Sequence, residues 1–340
     1  MDKQGRLRWG ILSTGSIARK VAPSIAKAPR SRVSAVGSRD LARAQAFAAD
    51  LGIEKAYGTY DALLADPEID AVYIASPNAL HHAHAIQAAG AGKHILCEKP
   101  IAATVKAAEA MFKAAEKAGV VLMEAFMYRC HPQMIDILRR VREGEIGRVG
   151  LIRSSFCFDI GDKPQNIRLS HALHGGALMD IGCYCINFSR AVANQEPERI
   201  EGAGFVGAYG VDEWCAGALG FPGGAAASFT CAVRCQAGAT AGIYGSQGFI
   251  EIPEPWRAAE PVSRYTLKRS GGQIEEIAVS APDDRYTCQA EAFAASVLDG
   301  APLAVSKQDS LGNTLVIETL HRSLGVNWDE TPCRDRRANG

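Results

Sequence analysis

Apolar and polar positions change their rhythm once along this chain, near Gly147. Upstream, short apolar runs at residues 6–12, 33–37, 71–75, 94–97 and 120–123 are separated by stretches of helical period at 16–28, 41–51, 80–91 and 105–118. Gly52 and Gly119 stand just past two of the helical stretches and Pro29 just past another, where helices stop. Short apolar strands alternating with helices predict a parallel sheet covered on both faces. Downstream, the strand-like runs lengthen and carry glycines, at 149–158, 200–208, 214–221, 225–234 and 239–244, with turns at Gly223-Gly224 and Ser246-Gln247-Gly248. That texture predicts antiparallel sheet, interrupted by one helix over 179–193 and followed by helices over 286–298 and 307–324. The expected fold class is α/β followed by α+β: a doubly wound parallel sheet over residues 1–125, then a mainly antiparallel domain over residues 126–340 that supplies the substrate pocket.

Composition narrows the function classes. The length of 340 residues suits two domains, and 47% apolar residues allow each to bury a core. Thirty-seven Lys and Arg balance 37 Asp and Glu, which argues against nucleic acid or an anionic membrane surface as a partner. Residues 1–8 are polar and charged, so no secretory signal is expected, and no apolar run is long enough to span a bilayer. The ten cysteines form no C-x-x-C pair, since Cys183 and Cys185 are two apart and Cys231 and Cys235 four apart. Free thiols in a reducing cytoplasm are expected. His81, His82 and His84 do not all face one way on a helix, so no metal is expected.

The first strand-to-helix junction carries the nucleotide chemistry. Gly10-Ile11-Leu12-Ser13-Thr14-Gly15-Ser16-Ile17-Ala18 reads as a Rossmann fingerprint, G-x-G-x-x-A, with Ser13 in the first glycine position. Gly15 lets the backbone approach a pyrophosphate, Ala18 lets helix and strand pack closely, and the helix start offers free N–H groups and a positive dipole. The segment Ser13, Thr14, Gly15, Ser16 and Ile17 is the candidate phosphate cradle. At the end of the second strand, where NAD sites place an acid, the chain runs Gly37-Ser38-Arg39 with Arg43 a turn later. Ser38, Arg39 and Arg43 suit the 2′-phosphate of NADP(H) over the 2′-hydroxyl of NAD(H). Asp40 can cap the following helix instead, and the alternative for both arginines is solvated surface charge.

Further strand ends supply candidate reactive groups. The third predicted strand ends Ser76-Pro77-Asn78 and the fourth ends Cys97-Glu98-Lys99-Pro100, at the edge where open α/β sheets bind ligands. Downstream, Gly175-Gly176-Ala177-Leu178-Met179-Asp180-Ile181-Gly182-Cys183-Tyr184 opens a helix with Asp180 and Tyr184 at i and i+4. An acid, a lysine and a tyrosine make a proton-transfer set. Tyrosine's ordinary pKa near 10 is too high for a base at neutral pH, and a neighbouring ammonium and a positive nicotinamide favour the phenolate.

Taken together, WGILSTGSIA, SRDLARAQ, ASPNALHHAHA, CEKP, MEAFMYRCHP and GGALMDIGCYC resemble the Gfo/Idh/MocA oxidoreductases over residues 7–328. The likeness is greatest to the branch holding dimeric dihydrodiol dehydrogenases and NADP-dependent D-xylose dehydrogenases, in which serine at the Ser13 position is familiar. The resemblance implies a second domain with a large open, mainly antiparallel sheet used for dimer contact. It also implies hydride transfer between NADP(H) and a hydroxyl-bearing carbon of a sugar or vicinal diol. By the same likeness Tyr184 is the acid/base, Lys99 tunes it and positions substrate, and Asp180 partners the pair. Ser76, Asn78, His81 and Glu98 then line the cofactor side, and Arg168 lies in a loop over the substrate. A reductase, an oxidoreductase that retains its nucleotide between two sugars, and a non-catalytic NADP-binding sensor or co-repressor are the alternatives. Loss of the lysine or tyrosine would favour the sensor, and both are present.

Overall fold

The structure is a computed structural model, and it describes residues 1–161, 163–281 and 283–328. Two compact units emerge. The first holds Met1–Met127 together with Tyr286–Ser310. Its chain runs β1 (Leu7–Leu12), α1 (Ser16–Lys27), β2 (Ser31–Gly37), α2 (Leu41–Leu51), β3 (Lys55–Tyr57), α3 (Tyr60–Leu64), β4 (Ala71–Ile74), α4 (Asn78–Gly90), β5 (His94–Cys97), α5 (Val105–Ala118) and β6 (Leu122–Glu124). The six strands pair in parallel in the order β3-β2-β1-β4-β5-β6. The order reverses between β1 and β4, the point at which doubly wound sheets open a crevice.

Local chemistry explains these boundaries. β4 is buried at all four positions, as a strand covered on both faces must be. Asp40, Thr59 and Thr104 cap α2, α3 and α5 by accepting the backbone N–H three residues on. Gly52 and Gly119 end α2 and α5 in the left-handed conformation, at φ +66° and +68°. The short edge strand β3 and the helix α3 are additions to the expected pattern. Three half-buried residues carry no alternation from which β3 could be read.

The second unit holds residues 128–285 and 311–328. It runs α6 (Pro132–Arg142), β7 (Val149–Asp159), a π-helical turn at Leu178–Gly182, α7 (Cys183–Ala193), β8 (Arg199–Val206), β9 (Asp212–Gly220), β10 (Ala226–Ala232), β11 (Arg234–Gly245), β12 (Gly248–Ile252), β13 (Val262–Arg269) and β14 (Ile274–Ser280). Two further helices, α8 (Arg285–Asp299) and α9 (Lys307–Ser323), follow. The eight strands lie in the order β14-β13-β12-β11-β7-β10-β9-β8. Among the described residues every pairing is antiparallel except β7 with β10, so the sheet is mixed. The one parallel pair in this mainly antiparallel sheet follows from the chain between its strands, where α7, β8 and β9 supply the crossover a parallel pair requires. Ser246-Gln247 forms the two-residue turn between β11 and β12. β12 to β14 extend the sheet beyond the strands read from the sequence.

The expected boundary at 125/126 separates two continuous stretches, whereas the first compact unit also takes in Tyr286–Ser310. The reason is packing: Phe293 of α8 lies 5.1 Å from the ring of the buried Trp9, and Arg30 binds the Glu291 carboxylate through its backbone N–H (2.8 Å) and Nε (3.0 Å). The last residues of the expected second domain, 329–340, lie outside the described residues.

Candidate active site

In the first unit, candidate residues gather at the carboxyl ends of β1, β2, β4 and β5. Ser13 has φ +110°, the backbone conformation that favours glycine, so it occupies the first fingerprint position in both sequence and geometry. Its Oγ accepts the Gly15 N–H at 3.2 Å, a local bond that holds the turn. Gly15 is the N-cap of α1 and provides no side-chain cap. A Cβ on Gly15 would meet only the Ser13 Oγ at 3.4 Å and the Ala75 carbonyl oxygen at 4.0 Å, so the backbone stands open to close approach. Thr14, Gly15, Ser16 and Ile17 are all partly or fully exposed around this helix start. An open turn above uncapped N–H groups is a fit cradle for a pyrophosphate.

At the end of β2, Ser38 is buried and Arg39 and Arg43 are exposed. Asp40 is occupied as the N-cap of α2, accepting the Arg43 N–H at 3.2 Å, with the Arg43 Nε 3.6 Å from its other oxygen. The acid near the ribose position is thus explained by the helix, and the remaining groups are a hydroxyl and two guanidinium ions. That donor set fits a 2′-phosphate.

Ser76 and Asn78 follow β4. The Ser76 Oγ is 3.0 Å from Nδ1 of His84, and its carbonyl oxygen is 2.9 Å from Nε2 of His81. His81 is fully buried, and its Nδ1 lies 3.0 Å from the carbonyl oxygen of Pro100. The ring therefore bridges the turn after β4 to the turn after β5. Burial pushes its pKa down to about 4 despite the two carbonyls, which favour the proton. Glu98 is likewise buried, taking the Tyr73 hydroxyl on one oxygen and the Lys99 N–H at 3.2 Å on the other. Both side chains brace the Lys99 turn from inside the unit, and Lys99 itself is partly exposed between Glu98 and a cis-bonded Pro100. Among the described residues, no three His, Cys, Asp or Glu side chains converge as a metal site.

The second unit carries the other candidates. Asp180 and Tyr184 were expected one above the other on a regular helix, but residues 178–182 form a π-helical turn that leads into α7. The turn packs closely on β10: a Cβ on Gly182 would lie 2.8 Å from the Cys231 sulfur and 3.1 Å from Leu178. Turns of this kind recur at functional sites. Asp180 accepts the Arg168 Nε at 2.5 Å, and the Arg168 guanidinium lies 5.6 Å over the ring of Phe158. The structure thus brings Arg168, Asp180 and Tyr184 into one segment. Tyr184 is 5% exposed, its ring 5.8 Å from Tyr128, 5.6 Å from Phe156 and 5.8 Å from Trp256. Trp256 donates its indole N–H to the Ser155 carbonyl at 3.0 Å, and the Tyr128 hydroxyl donates to Asn187 at 2.6 Å.

Phe156 and Trp256 were absent from the sequence candidates: Phe156 lies in a strand-like run and reads as ordinary core, and Trp256 stands alone between Pro255 and Arg257, outside any motif. The nearby cysteines are buried; the Cys183 sulfur faces the Asp180 carbonyl at 3.6 Å, and burial pushes the Cys185 thiol up to about 12. A thiol so protonated is no nucleophile at neutral pH.

Known proteins share the order of these two units. The profile described as "Oxidoreductase family, NAD-binding Rossmann fold" matches residues 7–126, and that of the "GFO/IDH/MocA C-terminal domain" matches residues 135–251. A D-xylose 1-dehydrogenase (NADP(+)) from Haloferax volcanii is 35% identical over 323 residues, covering 93% of this chain and 97% of that one. The mouse trans-1,2-dihydrobenzene-1,2-diol dehydrogenase is 37% identical over 259 residues, 75% of this chain and 77% of its own. Among solved structures, the aldose-aldose oxidoreductase of Caulobacter crescentus matches with a TM-score of 0.86 at 30% identity, covering 94% of this chain and 97% of that one.

Proposed function

The chain belongs to the Gfo/Idh/MocA oxidoreductase family, and on that premise we propose that it is an NADP-dependent enzyme acting on a hydroxyl-bearing carbon of a sugar such as D-xylose, or of a vicinal diol. The observation that carries the reading is the Asp180 carboxylate on the π-helical turn, paired with Arg168 and followed four residues on by Tyr184 in α7, a phenol held among aromatic rings. When bound, the nicotinamide supplies the hydride acceptor or donor. Residues 13–17 hold the pyrophosphate, and Ser38, Arg39 and Arg43 hold the 2′-phosphate. Ser76 and Asn78 border the nicotinamide side, with His81 and Glu98 fixing the turns that present them and Lys99.

Tyr184 takes the hydroxyl proton during oxidation and returns it to the carbonyl during reduction. The Lys99 ammonium favours the phenolate and orients the reacting oxygen. Asp180, held by Arg168, completes the set, with Arg168 also contacting substrate. The first unit takes the nucleotide role expected of residues 1–125, and the second the substrate and oligomerisation role expected of 126–340. A homodimer or higher homo-oligomer is part of the same reading, supported by Leu151, Phe205 and Trp214 exposed on the large sheet. A cytoplasmic location is proposed too, a reducing compartment in which buried thiols persist. No helix among the described residues is long and apolar enough to cross a membrane.

The test is a screen of pentoses, hexoses and cyclic diols with NADP+, followed at the NADPH absorbance. Turnover of at least one class is expected. No turnover in either direction, with NADPH still bound, would favour the sensor reading.

A further inference from the structure

A chain of buried hydrogen bonds lies behind the π-helical turn, outside every residue assigned above. Asp212, the first residue of β9, is fully buried, and both carboxylate oxygens are engaged. Oδ2 accepts the Leu178 N–H at 2.7 Å, the first amide of the turn that carries Asp180. Oδ1 lies 3.2 Å from Nε2 of the buried His321, on α9. The other ring nitrogen of His321, Nδ1, is 3.2 Å from Nε1 of Trp328. An indole N–H only donates, so Nδ1 must accept, and the ring hydrogen therefore sits on Nε2 and points at Asp212. Trp328 thus sets the tautomer of His321, and with it the direction of the bond to Asp212.

The same residues hold the loop before the turn. The Trp328 ring lies 4.8 Å from both His171 and His174, in the loop that carries Arg168. Gly176 has φ +105°, and a Cβ there would fall 2.1 Å from the Asp212 Oδ1. Gly176 in turn donates its N–H to the Arg168 carbonyl at 2.7 Å. One buried carboxylate therefore fixes the start of the turn with Asp180 and requires the glycine next to it. One indole fixes the loop whose arginine pairs with Asp180.

We propose that Asp212, with His321 and Trp328 setting its hydrogen bonds, is the positioning element that registers Asp180 and Tyr184 for proton transfer. It touches neither substrate nor cofactor. The inference rests on the catalytic reading of Tyr184 and extends it to residues that no sequence motif singled out. A half-ångström shift in such a set is costly because proton transfer depends on reach.

The test uses the full chain and exploits the fixed direction of the bonds. Asp212→Asn keeps the shape and one acceptor, but its amide must place either oxygen or nitrogen against His321. With nitrogen there, two donors collide unless the imidazole moves its hydrogen to Nδ1, where it meets the indole N–H. Trp328→Phe removes that second conflict and keeps a ring between His171 and His174. We expect Asp212→Asn to lower kcat about 30-fold with KM for the sugar or diol within about threefold, as for an interaction felt in the transition state. Trp328→Phe alone should cost about threefold, and Asp212→Asn/Trp328→Phe should regain about tenfold over Asp212→Asn. A double variant no better than Asp212→Asn, or Asp212→Asn within twofold of wild type, overturns the proposal.

Should Asp212→Asn fail to fold, ring ¹⁵N resonances of the wild-type histidines decide it, with His321 assigned by its loss in His321→Gln. The Nε2–H tautomer is expected, and an Nδ1–H tautomer overturns the hydrogen-bond chain. Activity retained in Tyr184→Phe would instead sink the catalytic reading, leaving the tautomer result standing by itself.

Discussion

The candidate site is built in two ways in the two units. In the first, the groups proposed to face a nucleotide belong to turns a few residues long: Ser13 and Gly15 after β1, Ser38 and Arg39 after β2, and Lys99 after β5. Each turn is shaped mostly by its own residues, with His81 tying the one after β5 to the turn after β4. In the second unit, Asp180 and Tyr184 depend on partners drawn from the whole unit, including Phe156, Asp212, Trp256 and Trp328. A phosphate is bound by backbone N–H groups and guanidinium ions that tolerate small shifts. A proton-transfer group must be held to a fraction of an ångström, which takes packing from several sides.

That contrast is open to attack at several points. The largest expected effect is Tyr184→Phe, which should lower kcat about 10²–10⁴-fold while NADPH fluorescence titration stays unchanged. A matching loss of NADPH affinity would mean that the second unit is not confined to chemistry. Next, Arg168→Ala leaves the Asp180 carboxylate without its charge-assisted partner, and kcat is expected to fall about tenfold or more. In the first unit, Arg39→Ala should weaken NADPH binding about tenfold and leave NADH unaffected, the size of one charge-assisted contact. An unchanged NADPH preference would remove Arg39 from the 2′-phosphate site.

Smaller effects sharpen the comparison. Asp40→Ala should lower stability by about 1 kcal/mol, read by denaturant unfolding, through loss of the α2 cap. Cofactor preference should not change, because that carboxylate serves the helix. His81 gives a pH signature. Its folded pKa, lowered to about 4, lies below that of the unfolded chain, so the unfolded state binds the proton first. Stability is therefore unaffected above the ordinary histidine value and falls as pH drops from about 6.5 towards about 4. His81→Gln should unfold with a shallower loss over that window than the wild type. Equal slopes would show that the ring titrates normally.

Much of the first unit could be read along the chain because its signals are local. The ends of α2 and α5 are marked by Gly52 and Gly119, and β5 is a short apolar run between helical stretches. The unusual Ser13 is legible too, since a serine at a glycine position implies a turn that the structure places at φ +110°. The second unit was read less completely. β13 and β14 carry charged residues on their exposed faces and pass for loop, and the parallel pairing of β7 with β10 has no local mark. Along the chain the π-helical turn looks like ordinary helix, and the residue on which its Gly182 packs, Cys231, lies 49 residues away in sequence.

By itself the sequence determined the parallel sheet with its nucleotide turn and the balance of donors favouring NADP, and it pointed to Lys99, Asp180 and Tyr184 as candidates. Those properties reside in residue types and short spacings, which the chain carries with it. Only the tertiary structure decided that Asp40 is a helix cap, that His81 and Glu98 are inward braces, and that Asp212 reaches Leu178. A buried polar group is defined by the partner that satisfies it. When that partner is 34 residues away, as for Leu178 and Asp212, only folding brings the two together.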